Sequence, residues 1–250
     1  MRIIILIFLA IFLSNFFSIE KELLVEYQAE YLMPSKEELR AMREELGLSQ
    51  SQFQAALYSQ KMIKENVQTQ EISLITKGNL GFELILPESM NSEFNSMASI
   101  APAFLSLFNR IYSKDGEINV AVNQKDDFSV TFDSNDVVWN ITNEKKEILG
   151  IECYKALPKY NFSPTTNSFR DCLHVWFAPS INKRGGPIID SGLPGLILEV
   201  RNKRAKIVAK DIKAVPFSDL KISKKKNISE KEYHSMIAKK AQAIEARIKK

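Results

Sequence analysis

After an unbroken apolar run from Ile3 to Leu13, the chain alternates hydrophobic and polar residues in short stretches, interrupted by segments with helical spacing. Period two marks half-buried strands, and a period near 3.6 marks helices with one buried face. The first alternation, Leu23 to Tyr31, sets Val25, Tyr27, Ala29 and Tyr31 on one side of a strand, and that side is expected to face the core. Pro34 closes the strand. Ser35 with Glu38 forms a capping box for a helix along Leu39, Met42 and Leu46, and Gly47 ends it. Ser49 with Gln52 restarts the pattern for a second helix along Phe53, Leu57 and Met62, fading near Asn66. From Glu71 to Leu86 the period returns to two around Lys77-Gly78-Asn79, as in a hairpin, and Asn91 to Tyr112 reads as another helical insertion.

Five alternating segments follow: Ile118 to Val122, Phe128 to Phe132, Val137 to Ile141, Glu147 to Ala156 and Phe169 to Phe177. Turn residues separate them, which predicts a β-meander. Arg204 to Lys213 reads as a last strand, and Ile228 to Ile248 as a mostly polar helix capped by Asn227 or Ser229. The expected fold is mainly β (α+β): a curved antiparallel sheet or half-barrel meander, with helical insertions near 35–66 and 91–112 and a C-terminal helix. One β-rich domain is expected over 19–220, followed by a basic helical tail over 221–250.

Within this pattern, Ser191 to Val200 packs a tight turn and a buried strand into ten residues, with Gly192, Pro194 and Gly195 supplying the backbone freedom or constraint that the turn needs. With Gly186-Pro187 upstream, and with Val138-Trp139-Asn140-Ile141, the stretch around Gly150 and Val175-Trp176-Phe177 in order, this segment resembles the GLPGLI family, found in exported proteins of Bacteroidota and without an established activity. The resemblance covers Trp139 to Val200. It implies that Trp139, Gly150, Trp176, Gly186, Pro187, Gly192, Leu193, Pro194, Gly195, Leu196 and Ile197 are motif positions, and their expected role is architectural.

Composition adds the compartment. With 250 residues, 45% of them hydrophobic, the chain can fill a substantial core. Met1-Arg2 before the apolar run and Ser14, Asn15 and Ser18 after it give a signal-peptide profile over 1–18, and the run is shorter than the roughly 20 residues of a spanning helix. Export to the periplasm, the outer membrane or beyond implies an oxidising environment, in which Cys153 and Cys172 are expected to form a disulfide. The net charge of +4 hides an asymmetry: residues 201–250 hold 16 basic against 5 acidic side chains. Nucleic acid is disfavoured as a partner, because only Phe217 and Tyr233 could stack on bases in that tail, while contact with an anionic membrane surface fits it.

Candidate chemistry is thin. Arg43 to Gln50 resembles the start of a repressor-type helix-turn-helix but lacks a recognition helix after Tyr58, so an αα-hairpin packed on the sheet is the expected structure. Ile188-Ile189-Asp190-Ser191-Gly192 matches an aspartic-protease opening, yet no glycine follows Gly195 to build the second loop such enzymes need. His174 and His234 stand sixty residues apart without metal-ligand spacing, so no catalytic, cofactor or metal residues are assigned. Aromatics concentrate at Trp139, Tyr154, Trp176 and Phe177. The expected function is non-catalytic: binding a lipid, peptide or lipoprotein in an apolar groove, or assembling the envelope with an unknown partner. An extracytoplasmic hydrolase with an unrecognised carboxylate site is the alternative.

Overall fold

A computed structural model describes residues 21–68, 71–86, 107–108, 110–113, 118–122, 126–161, 170–189 and 192–248. The expected signal peptide, most of the insertion over 91–112 and Asp190-Ser191 lie outside the described residues.

The chain forms a mainly β fold with twelve strands in one mixed sheet: β1 (Glu22–Tyr31), β2 (Glu71–Lys77), β3 (Gly81–Ile85), β4 (Arg110–Ser113), β5 (Ile118–Val122), β6 (Phe128–Asp133), β7 (Val137–Ile148), β8 (Ile151–Tyr160), β9 (Cys172–Ala178), β10 (Leu196–Asn202), β11 (Ala205–Val215) and β12 (Lys226–Ser229). Their order across the sheet is β12-β6-β5-β4-β3-β2-β1-β11-β10-β9-β8-β7. Two meanders of consecutive antiparallel hairpins, β1 to β6 and β7 to β11, are therefore joined by the ladder between β1 and β11. The short strand β12 is the exception to antiparallel pairing, running parallel to β6.

Strand order alone shows that the sheet is rolled. β6 and β7 stand ten steps apart in it, which in a flat sheet is about 48 Å. Only the 3-10 turn Ser134–Asp136 joins them, a reach of at most about 15 Å. The two borders must therefore approach each other at this corner. The sheet is nonetheless not closed, since no ladder links β7 to β6 or β12 among the described residues.

Residues opposite each other in neighbouring strands share a face. The registers set Tyr27 and Ala29 beside Ala209 and Ile207 of β11 and Tyr27 beside Ile72 of β2; Leu74, Leu84 and Ile111 continue the row, with Ala121 and Val130 further on. All of these are buried and form the inner side of the roll. The alternation at Leu23 to Tyr31 predicted this face correctly, because hydrophobic burial fixes which side of a pleated strand turns inward.

Three helices accompany the sheet among the described residues. α1 (Lys36–Glu45) carries the expected capping box: Glu38 N–H donates to Ser35 Oγ and Ser35 N–H to Glu38 Oε2. α2 (Gln50–Gln68) is preceded by the same reciprocal pair between Ser49 and Gln52. The two helices follow one another as expected, but they do not pack along each other as an αα-hairpin would, and the buried residues also differ. α1 buries none of its side chains, and α2 reaches the core through Ile63 and Val67 near its end rather than through Phe53, Leu57 and Met62. α3 (Glu230–Ile248) is the C-terminal helix, capped by Ser229, and its Tyr233 ring packs at 5.9 Å from Phe108 and 6.2 Å from Phe128.

Several boundaries move. Arg110 to Ser113 is β4 rather than the end of a helix, because Ile111 alternates with Arg110 and Tyr112 across the sheet. Val137 to Ile148 is one strand, with a register shift between Ile141 and Lys145 where a turn was expected. The turn lies instead at Leu149-Gly150, both at positive φ (54° and 74°), as a tight two-residue hairpin requires. β8 runs on through Pro158, and Ile228 belongs to β12 rather than to the terminal helix.

Candidate functional site

The connection from β9 to β10, residues 179–195, holds four glycines and three prolines. It is stitched across the inner side of the roll. Ile197 N–H donates to the Gly185 carbonyl at 2.9 Å, Arg184 N–H to Asn79 O at 3.1 Å, and the Asn119 side-chain amide to Ile189 O. Tyr27 of β1 donates its hydroxyl to Ile197 O at 2.7 Å, and burial raises its pKa far above the usual phenol value. Lys183 lies 3.6 Å from the fully buried Glu22 carboxylate, which also accepts from Thr76 Oγ1 and Gly78 N–H. Such a buried carboxylate needs these donors to offset its desolvation.

Two glycines are required by close approach. Gly195 has φ +155°, and a Cβ there would fall 2.8 Å from the Ala178 carbonyl carbon; a Cβ on Gly186 would fall 2.5 Å from Ile197 Cβ. With the backbone held this close, Ile188 and Leu193 pack with Ile197, Val200, Val175, Phe177 and Ala156 into a second core cluster bordered by Trp139 and Tyr154. Of the motif residues, Trp139, Leu193 and Ile197 thus meet in this cluster, Gly186 and Gly195 shape its cover, and Pro187 is buried while Pro194 and Gly192 are exposed. Gly150 stands apart, in the β7–β8 turn. Trp176 and Leu196 belong to the main cluster instead.

Trp176 marks the outer side of β7 to β10, which the sequence did not single out. Its strand partners are Lys155 and Glu199, and the next pair along is His174 opposite Arg201. Lys146 Nζ sits 4.5 Å over the Trp176 ring and 2.7 Å from Glu199 Oε2, while Lys155 pairs with Glu144 at 3.0 Å. Among the described residues Arg201 reaches only the Ala205 carbonyl, at 3.5 Å. Partial burial holds the His174 pKa below its usual value; Lys155 adds to this, Glu199 opposes it, and Lys146 and Arg201 lower it further. Around this polar group Val138, Leu157 and Leu173 are exposed. Only a count of basic residues at alternate positions of β7 to β10 could have found it in the sequence.

The expected disulfide is not present. Cys153 and Cys172 are both buried and are not bonded to each other. Cys153 packs in the main cluster with Trp176, and Cys172 in the second cluster with Val175 and Phe177. The pairing of Tyr154 with Phe177 also places Cys153 level with Ala178, six residues from Cys172 along β9, about 20 Å, against the roughly 7 Å a bridge can span. Burial pushes the Cys153 thiol up to about 11.

Elsewhere, the fully buried Arg170 pairs with Glu230 of α3 at 3.1 Å and with Asp136 at 3.4 Å, and Glu230 also lies 3.4 Å from His234. This network pins α3 to the β6–β7 corner. Among the described residues no group of three or more His, Cys, Asp or Glu is placed to hold a metal ion, and no helix is long and apolar enough to cross a membrane.

No family model matches the chain, and no curated protein matches it. Two solved structures of PNGF-II, in the C2 and P21 space groups, are similar to it, with TM-scores of 0.50 and 0.51 and identities of 14% and 16%. Each comparison covers 88% of this chain but 33% of the other, so the chain spans about a third of the proteins it resembles. At this identity the likeness is one of fold.

Proposed function

We propose that the chain is an exported protein of GLPGLI type that acts without catalysis, binding a polypeptide partner of the envelope along β7. One observation carries this reading. β7 is a twelve-residue strand paired only with β8 among the described residues, and it exposes Val138 and Ile141 on its two faces. A strand edge that no described strand covers offers a row of backbone donors and acceptors to an extended segment, and exposed aliphatic side chains add contact area. The inner side of the roll is less suited to a ligand, since Tyr27, Phe82, Phe108, Phe132 and Phe177 already fill it. The charged run Glu144 to Glu147 on the same strand opposes indiscriminate pairing between copies.

A photo-crosslinking residue at position 138 or 141, with position 80 as an exposed control, tests the reading in cells of the native host. One envelope protein captured from β7 and not from position 80, with the captured form lacking residues 1–18, is the expected result. Equal labelling from all three positions would sink it. The hydrolase reading has one observation in its favour, the meeting of Glu230, Asp136 and His234 around Arg170. Its buried arginine is better explained as the anchor of α3.

A further inference from the structure

We infer that the outer side of β8 to β10 is a binding site for the oxyanion head of a small amphiphile, a carboxylate, sulfate or phosphate, gripped between Arg201 and His174. The site is distinct from the β7 edge and does not depend on the reading given to it. Its warrant is a local imbalance of charge. Lys146 and Lys155 each have a carboxylate partner, Glu199 and Glu144, whereas neither Arg201 nor His174 has one among the described residues. The two lie directly opposite each other in β9 and β10, so their side chains start about 5 Å apart, a spacing at which a single oxyanion can accept from both. Leu157 and Leu173 are exposed beside them, on the neighbouring strand position and the adjoining residue of β9, and give an alkyl chain somewhere to lie.

The groups facing His174 are Lys146 of β7, Lys155 of β8 and Glu199 and Arg201 of β10. Three of these four are cations and disfavour the imidazolium. A bound anion reverses that balance, so it binds the protonated ring better, and affinity rises as pH falls through the histidine range.

The protein has two histidines, so imidazole resonances in NMR report the site and its control together. Octanesulfonate below its micellar concentration is the probe, because its charge does not titrate; sulfate and octanol are the partial probes. The expected result is a saturable shift of His174 and not of His234, tighter at pH 5.5 than at pH 7.5, and weakened about tenfold or more in Arg201→Gln. Arg201→Lys, which keeps the charge, falls between the two and guards against misreading a misfolded variant. An unmoved His174, equal binding by octanol, or undiminished affinity in a folded Arg201→Gln would overturn the proposal. So would binding to anionic vesicles with none to the monomeric sulfonate.

Discussion

At Gly195 the backbone conformation and the packing make the same demand. Its φ of +155° is one that L side chains rarely adopt, and any Cβ would strike the carbonyl of Ala178. Gly195→Val should therefore lose about 3 kcal/mol or more in urea unfolding, the sum of backbone strain and a displaced strand. A variant melting as wild type would show the turn to be adaptable. Tyr27 makes the complementary point, since its hydroxyl is the donor to the buried Ile197 carbonyl. Tyr27→Phe is expected to cost about 1 to 3 kcal/mol in the same measurement, because the carbonyl is left without that partner in a dry interior. The two cysteines should titrate as two thiols per chain in denaturant without reductant. In the folded protein Cys153 should alkylate far more slowly than a free thiol, because burial both hides it and keeps it protonated.

At the scale of elements, what the sequence made legible follows the reach of its local rules. Both capping boxes were readable because three residues suffice to make them. The face of β1 was readable because every second residue is apolar. The length of β7 was not, because Asn143 to Glu147 is polar on both sides and carries no period to read. The turn at Leu149-Gly150 was hidden for a related reason, as leucine gives no turn signal and takes its positive φ only because the hairpin imposes it. β12 is four residues long and owes its existence to partners on β6, with Ser129 donating to Asn227 and Thr131 to the Ile228 carbonyl. Likewise the Trp176 group draws one or two residues from each of four strands, a combination no window of sequence contains. α3 covers Phe108 and Phe128 with Tyr233, and Phe108 in turn packs on Phe132. Removing residues 225–250 should then lower stability by about 3 kcal/mol or more and let the truncated protein bind a hydrophobic dye that the full chain does not.

For the whole molecule, the motif connection is a cross-tie. Its contacts run to Glu22, Asn79 and Asn119, on or beside β1, β2 and β5, so one loop fixes the spacing between the two meanders. The run of glycines and prolines marked this loop in the sequence without revealing what it touches, since every partner is more than a hundred residues away or across the strand order. The cysteines failed as a guide for the same reason: proximity in sequence placed them in adjacent strands, but not at one height.

The short turn Ser134–Asp136 divides the chain where one meander ends and the other begins. Each side of that cut is a run of hairpins that can pair with itself, and what must be recovered between them is the β1–β11 ladder, the strand β12 beside β6 and the tie from Tyr27 to Ile197. Two genes, one ending at Asp133 and one starting at Val137, should thus yield halves that find each other when expressed together in one cell. The protein would then serve as a split reporter whose main joint is the ladder between β1 and β11.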